Sequence, residues 1–356
     1  MAGTYSRQLA LPLLVLLVLQ WVMSLSGATP VSKTRCTKPI IRKEWRTLKR
    51  WEQIEYLAAV RCFMAKPGIT PKADAPAAFS RYDDLVATHI TQAPSIHYVG
   101  HFLPWHRWFT VLYEQGLRDE CGYSGAQPYW DWTLDVTPSS KFVDSPVFDP
   151  VFGFGGNGAF VASNDSHVVD VSDRTGGGCV QDGPFRDLVV SLGPLDDVSG
   201  NPRCLKRCLV PDFASRYLSM NQTALTLDQP DFGWFARVLM SDPSSDVFGI
   251  HDGGHYGVGG PYGQMCDVYA SPTDPIFFMH HTNLDRVWWS WQMRDPQNRL
   301  EDISGPIYKS DYTNSRGANV TLDFEMTMGV NANNISVMDT MNIVGDTFCF
   351  NYDQLY

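Results

Sequence analysis

The sequence has 356 residues, is 44% hydrophobic and 19% charged, and carries a formal net charge of −10. This is the composition of a globular protein with a sizeable core, and it excludes a disordered, collagenous or coiled-coil chain. The acidic balance, with no block of Lys or Arg, argues against nucleic-acid binding, which needs clustered cations. Nine histidines and eight cysteines are the two counts that require an explanation.

Residues 1–28 predict a secretory signal peptide. Arg7 precedes an apolar stretch over residues 9–19, and the small residues 26–28 follow it, which is the order of such a leader. The stretch is short for a membrane span and is interrupted by Pro12, so a signal anchor is the weaker reading. No later stretch is long and apolar enough to cross a bilayer. We therefore expect a soluble, secreted protein with no membrane span after signal removal.

The cysteines agree with an oxidising compartment. They form an even set scattered along the chain, which predicts disulfides whose pairing is not assignable from sequence. Cys204 and Cys208 have a C-x3-C spacing that weakly suggests a metal. No second paired motif accompanies it, so disulfides are favoured there. Four N-x-[ST] sequons give modest further support: Asn164, Asn221, Asn319 and Asn334.

Three helices are predicted in the first part of the chain. The first covers residues 43–66, the second covers residues 81–92, and the third begins at Pro104 and ends before Gly122. Proline suits a first helical turn. Apolar residues at about three-residue spacing predict one buried face on the first helix: Trp45, Leu48, Trp51, Ile54 and Leu57.

The middle of the chain changes character. Residues 136–230 are rich in Gly, Pro, Asp and Ser and lack periodicity, which predicts a long irregular insertion. A fourth helix is predicted over Phe232–Met240, and Pro275 opens a fifth. Short β-like runs follow residue 300. The simplest organisation is one mainly helical domain over residues 29–356.

Eight of the nine histidines fall into two clusters, and His167 lies apart. A lone histidine is usually structural, but two groups of four are not expected from a random scatter. Imidazole suits Cu, Zn, Fe and Ni, whereas Mg and Ca prefer oxygen ligands. The two clusters are His89, His97, His101 and His106, and His251, His255, His280 and His281.

Zinc is the main competitor of copper. The run from His251 to His255 reads H-D-G-G-H and resembles the H-E-x-x-H helix of metalloproteases. Asp252 is one methylene shorter than Glu, Gly253 and Gly254 are poor helix formers, and a zinc protease leaves the first cluster unexplained. Two metals, each held by three histidines from one cluster, fit better. A copper pair of this kind binds dioxygen between its ions.

Two segments carry a family resemblance. Residues 97–109, HYVGHFLPWHRWF, resemble the first copper motif of tyrosinases and catechol oxidases. Residues 274–288, DPIFFMHHTNLDRVW, closely resemble the second, and His251 with His255 completes that site. The resemblance covers about residues 43–300 and looks nearest to short, secreted fungal tyrosinase-like oxidases. It implies a mainly α fold, with a central four-helix bundle around a dinuclear copper site, long irregular loops and a few short strands.

The resemblance also implies the ligands of two copper ions, and leaves His101 and His280 as non-ligands and His167 as an exposed residue. Asp285 lies four residues after His281 on one helix face and can hold Arg107, which would tie the two copper helices together. Phe277 and Phe278 are candidates for shielding the copper pair. The implied ligands are His89, His97 and His106 for the first ion, and His251, His255 and His281 for the second.

The implied activity is oxidation by O2 of a phenolic or catecholic substrate, either a small molecule or tyrosine in a peptide natural product. All members oxidise catechols to o-quinones, and some also ortho-hydroxylate phenols. Asp252 stands where hydroxylating members often have Asn. It can accept the phenol proton or bind a water that does so, with Asp242 as a candidate partner carboxylate, or serve only as a turn residue. Val268 occupies the family's gate position, where a small side chain leaves the entrance wide. Ser95 replaces a cysteine that some members link to the second ligand.

Other functions remain open. The chain could oxidise catechols or o-aminophenols without hydroxylating monophenols. A haemocyanin-like oxygen carrier would use the same dicopper chemistry without turnover, although the small chain and Val268 weigh against it. A non-catalytic homologue conflicts with six intact ligands. Only about 75 residues follow His281, so the large C-terminal shielding domain of some members is expected to be absent.

Overall fold

The computed structural model describes four stretches of the chain: residues 1–3, 36–162, 171–241 and 248–356. Most of the predicted signal peptide therefore lies outside the described residues. The same holds for His167, Asn164 and Asp242.

Helices dominate the fold. The two histidine clusters lie on or next to four helices: α2 (Arg81–Ile96), α3 (Phe102–Cys121), α7 (Ile250–Gly259) and α8 (Ile276–Met293). Helix α3 packs on α2 and α8, and α7 packs on α8. The fold is thus mainly α, as predicted. None of the described helices has the length and apolar character that a membrane crossing requires. The described residues form α1 (Arg50–Ala65), α2 (Arg81–Ile96), α3 (Phe102–Cys121), α4 (Pro211–Tyr217), α5 (Met220–Leu227), α6 (Phe232–Met240), α7 (Ile250–Gly259), α8 (Ile276–Met293), α9 (Pro296–Arg299) and α10 (Val337–Met341).

The strands are few and short, as predicted. The first and last are parallel, with Ile40 opposite Phe350, so the two ends of the domain lie side by side. The other three pairs are antiparallel. The pairs in the described residues are β1 (Ile40–Arg42) with β8 (Phe350–Tyr352), β2 (Gly158–Phe160) with β3 (Gly177–Val180), β4 (Val189–Val190) with β5 (Arg203–Cys204), and β6 (Glu325–Met326) with β7 (Ile335–Ser336).

Helix α8 is the central helix of the domain. All of its residues from 276 to 292 are buried, which explains why its sequence is apolar around most of its circumference. Its start is held by Asp274, whose carboxylate accepts from Arg207 at 2.7 and 2.9 Å and from the backbone amide of Ile276 at 3.1 Å. Both members of the ion pair are fully buried. This bidentate pair fixes where the second copper motif enters the core.

The ends of the other histidine-bearing helices follow local sequence signals. Ser80 caps α2 by accepting from the amide of Asp83, which bonds back to Ser80 in a capping box. Gly122 ends α3 at φ +69°, a conformation that glycine adopts without strain. The predicted starts and ends of α2 and α3 therefore lie within a few residues of the observed ones.

The predicted apolar face of the first helix is wrong. Helix α1 begins at Arg50, after a separate 3-10 turn at Trp45–Thr47. Trp51 and Ile54 are 58% and 50% exposed. A spacing of three residues falls short of the 3.6 residues of a helical turn, so such a row drifts around the helix instead of staying on one face. The buried face is formed by Gln53, Tyr56, Leu57, Ala59, Val60 and Phe63.

Two parts of the chain are more helical than expected. Helices α4 and α5 occupy the end of the stretch predicted to be irregular, where Pro211 opens α4. Gly253 and Gly254, expected to oppose a helix, lie inside α7. A Cβ on Gly253 would lie 2.9 Å from Leu218 Cδ2, and one on Gly254 would overlap the ring of His280. Close packing therefore selects glycine here and overrides its low helix propensity.

Three disulfides join distant parts of the chain. Cys36–Cys349 links the two ends, Cys62–Cys121 ties α1 to α3, and Cys179–Cys204 closes a shorter loop. Cys208 and Cys266 are unpaired, so the expectation of disulfides throughout is corrected for these two. The C-x3-C pair does not close on itself, because Cys204 bonds to Cys179. The described sequons are all exposed: Asn221, Asn319 and Asn334.

Candidate metal centre

The first three predicted ligands come together in the core. His89 lies in the middle of α2, His97 follows its last residue, and His106 lies in the second turn of α3. One nitrogen from each imidazole lies within 4.8 Å of the others. All three side chains are buried. These residues can enclose a single metal ion.

The second three predicted ligands form a matching group. His251 and His255 lie one turn apart on α7, and His281 projects from α8. Their nitrogens also lie within 4.8 Å of one another, and the Nε2 atoms of His255 and His281 are 3.2 Å apart. At this distance the two nitrogens can share a proton or, when both are deprotonated, bind one cation.

Backbone carbonyls orient four of these rings. The Nδ1–H groups of His97 and His106 donate within their own helices, at 2.9 Å to Ala93 O and 2.9 Å to Phe102 O. His89 and His255 donate across to the loop after α7, at 2.6 Å to Tyr269 O and 2.6 Å to Met265 O. Donation from Nδ1 leaves a lone pair on Nε2 for a metal. The Nε2 atoms of His89, His106 and His251 are buried without a hydrogen-bond partner, so the donor set fits a metal.

Electrostatics keep the six imidazoles neutral. Burial, as the main cause, lowers the pKa of His97, His251 and His255 to about 3. Burial also lowers the pKa of the other three well below the usual range. Neutral imidazole is the form that binds metal. The site is therefore prepared for cations at neutral pH without a proton having to leave.

The two triads face each other. The rings of His106 and His281 stack with centroids 4.6 Å apart, and those of His97 and His251 are 6.1 Å apart. Phe277 stacks on His281 at 4.0 Å and meets the edge of His89 at 5.3 Å, so it covers both triads on one side. Phe278, also expected there, stacks on Tyr113 instead.

The two neighbouring histidines lie outside the triads. His280 points away from His281, and its Nε2–H donates to the backbone carbonyl of His251 at 3.0 Å. Its ring fills the space above Gly254, so His280 joins α8 to α7. His101 packs on Phe324 with ring centroids 4.5 Å apart. The motif alone offered no signal for the contact that His280 makes.

A buried network of ion pairs joins helices α3 and α8, which carry two of the six predicted ligands, to the strands β1 and β8. Asp285 Oδ1 lies 2.5 Å from Arg107 Nε, which joins α8 to α3. The other oxygen, Oδ2, accepts from Tyr352 at 2.5 Å and lies 3.5 Å from Arg42. Arg42 also pairs with Glu114 at 2.5 Å. Arg42 and Tyr352 belong to β1 and β8, so their approach depends on the pairing of chain ends, which local sequence does not reveal.

Asp252 lies at the edge of the second triad. One carboxylate oxygen is 3.3 Å from His251 Nδ1, and the other accepts a hydrogen bond from the Ser241 hydroxyl. Ser241 Oγ in turn accepts from the amide of Gly249 at 2.6 Å. Burial raises the pKa of Asp252 to about 6. Sequence reasoning missed Ser241 and named Asp242 as a candidate partner, which lies outside the described residues.

A small cavity of about 70 Å³ opens onto the histidines. Its lining includes His97, His251 and His255 together with Asp252. Val268, the residue at the predicted gate position, also lines it and is 37% exposed. The cavity gives a small molecule a path to both triads.

Two facing triads of neutral imidazoles on a helical scaffold define a dinuclear metal centre, whose nitrogen ligands suit Cu, Zn, Fe or Ni and not Mg or Ca. Comparisons with known proteins identify the metal as copper. The family model for the common central domain of tyrosinase matches residues 79–294, more than half of the chain. The chain belongs to the tyrosinase family, and it is a copper-dependent oxidoreductase.

Relatives match along most of the chain. The tyrosinase-like protein phomQ1' of Diaporthe leptostromiformis is 35% identical over 350 residues, covering 94% of this chain and 85% of that protein. N-acetyl-6-hydroxytryptophan oxidase ivoB of Emericella nidulans is 34% identical over 346 residues, covering 88% and 92%. The structure of a polyphenol oxidase mutant from Thermothelomyces thermophila matches with a TM-score of 0.79 and 36% identity, covering 90% and 91%.

Proposed function

We propose that the protein is a secreted, single-domain oxidase that ortho-hydroxylates phenols and oxidises catechols to o-quinones with O2. In this proposal His89, His97 and His106 hold one copper ion, and the second triad holds the other. The observation that carries it is the pair of facing triads with bare Nε2 atoms beneath an open cavity. When bound, the copper pair supplies the binding and activation of O2 and the transfer of two electrons.

The chain's own residues prepare the site for that chemistry. The carbonyl-bonded imidazoles hold fixed directions, so little reorganisation accompanies reaction. Phe277 excludes water from the side opposite the cavity, because its ring lies against His281 and His89. A phenol entering through the cavity meets His97, His251 and His255 first. A cavity that lets a substrate reach the histidines supports a catalytic oxidase and argues against a reversible oxygen carrier.

Asp252 is proposed to take the proton of the incoming phenol, directly or through a water. Its carboxylate lines the cavity beside His251, and a pKa of about 6 lies close to the range that suits a general base. The hydrogen bond from Ser241 limits its rotation. Catechols lose their protons more readily, so their oxidation depends less on this carboxylate.

The entrance supports substrates larger than a free phenol. Val268 is small and partly exposed at the opening, so the ring of a tyrosine within a peptide natural product can approach. Three disulfides support folding in an oxidising compartment. Together with the predicted signal peptide they favour secretion. We propose cleavage of this leader near residue 28.

The test compares a monophenol with its catechol on copper-loaded protein, following quinone absorbance and O2 uptake. We expect both to be oxidised, and Asp252→Ala, which removes the carboxylate and any water it binds, to slow the monophenol at least tenfold more than the catechol. Equal slowing would remove Asp252 from the hydroxylation step. Oxidation of catechols or o-aminophenols alone would support the narrower oxidase. Reversible O2 binding without quinone would indicate a carrier.

A further inference from the structure

Lys309 is an exposed cation beside the opening of the copper cavity. Its Nζ lies 5.5 Å from the centroid of the Tyr98 ring, and Tyr98 lines the cavity together with His97. The ammonium is thus close enough to act on what enters the cavity.

The backbone holds Lys309 against this opening. The amide of Ser310 donates to Tyr98 O at 2.9 Å, and the amide of Gly100 donates to Pro306 O at 2.8 Å. Tyr98 and Ser310 have φ values of +57° and +59°, a conformation that is uncommon for residues other than glycine. Such residues persist where the surroundings impose them, often at ligand sites. The segment around Tyr98 and the segment around Ser310 are therefore held in a fixed position relative to each other.

No carboxylate in the described residues forms an ion pair with Lys309, although the whole chain carries a charge of −10. Asp252 is the one acidic residue in the described cavity lining. Its Oδ2 accepts from Ser241 and its Oδ1 lies near His251. An ammonium without a counter-ion among the described residues attracts anionic groups of a ligand and repels cationic ones.

We propose that Lys309, with the face of Tyr98 beside it, binds an acidic group on the substrate, so that the enzyme prefers phenols and catechols that carry a carboxylate on a side arm. The reacting hydroxyl faces the histidines, and the side arm leaves the cavity past Tyr98 towards the ammonium. This inference rests on the proposed function, because it requires a phenolic ring in the cavity.

The test uses 3-(3,4-dihydroxyphenyl)propionate and its primary amide, which differ in charge and little in shape. In the wild type we expect kcat/KM to be about fivefold higher for the acid, the size of a partly screened ion pair. Lys309→Gln should abolish that preference. The variant should raise KM for the acid and leave kcat unchanged, because Lys309 binds the side arm and does not touch the reacting atoms. Lys38→Gln removes an exposed cation that lies just before β1 and, unlike Lys309, is not the one placed over Tyr98, so this control should keep the preference.

Two further readouts separate this proposal from the proposed activity. The preference for the acid should shrink between about 0.05 M and about 0.5 M salt, since screening weakens exposed pairs. Calorimetry with 3-phenylpropionate and its amide measures binding without oxidation, and here too Lys309→Gln should remove the preference for the acid. Failure to oxidise any catechol overturns the proposed function and leaves this binding test intact. Equal binding of acid and amide in the wild type, or a preference that survives in Lys309→Gln, overturns the role of Lys309.

Discussion

Replacing Gly254 by alanine tests how the second triad is held. A Cβ at this position overlaps the ring of His280, which is fully buried and donates to the carbonyl of His251 at 3.0 Å. The ring has no space into which it can retreat, because Trp132 packs on it with centroids 5.0 Å apart. The variant must therefore move α7 away from α8 or break this hydrogen bond.

The expected magnitude follows from three contributions. Alanine in a helix gains about 1 kcal/mol over glycine. Overpacking at a site with no free volume costs about 3 kcal/mol, the upper part of its usual range. Loss of the His280 hydrogen bond costs about 1 kcal/mol. Gly254→Ala should therefore lower the free energy of unfolding by about 3 kcal/mol and weaken copper binding, because His251 and His255 shift with α7.

Gly257→Ala on the same helix is the matched control. Its Cβ would lie 3.1 Å from Ala214 Cβ and 3.4 Å from Phe142, a tight but tolerable contact. The helix-propensity gain of about 1 kcal/mol should roughly balance the small adjustment. Urea unfolding of the copper-free proteins and copper content per chain measure both effects. Equal stability and equal copper content of the two variants would refute the claim that His280 and Gly254 set the position of α7.

Three further predictions follow from buried groups and cross-links. Asp285→Asn leaves the buried charge of Arg107 uncompensated and should cost about 3–5 kcal/mol in urea unfolding; a loss below about 1 kcal/mol would contradict the network's role. His101 has its pKa lowered to about 4 by burial, so the unfolded chain binds its proton at a higher pH than the folded one, and acid destabilises the fold. His101→Gln should remove about 1 kcal/mol of the stability lost between about pH 7 and about pH 5.5; an unchanged pH dependence would contradict this. Replacing Cys36 and Cys349 by serine opens a loop with a separation of 313 residues and should lower stability by about 3–5 kcal/mol with little change in catechol oxidation at low temperature; an unchanged midpoint of unfolding would count against it.

Sequence motifs located α2, α3 and α8 because their signals are local, whereas α7 was not predicted. Pro104, Gly122 and Pro275 lie at or near helix ends, where proline and glycine act within a few residues. The spacing of the histidines predicted two clusters of four, and the family resemblance selected from each cluster the three that the structure brings within 4.8 Å. Such features need no knowledge of tertiary contacts.

The features that the sequence did not reveal depend on contacts between distant residues. Ser241 Oγ contacts both Asp252 and the amide of Gly249, and no local motif marks these contacts. Arg42 reaches Asp285 across 243 positions. The low helix propensity of Gly254 argues against a helix, and only the close packing of the His280 ring explains why glycine stands within α7. In each case tertiary packing decides what the local pattern leaves open.

Copper content per chain tests the central claim most directly. Copper-loaded wild-type protein should hold two copper ions, one for each triad. His97→Asn and His255→Asn, which each alter one triad, should each lower the copper content by about one ion, and both should abolish catechol oxidation. One copper ion in the wild type, or two in both variants, would contradict a dinuclear site built from these six histidines.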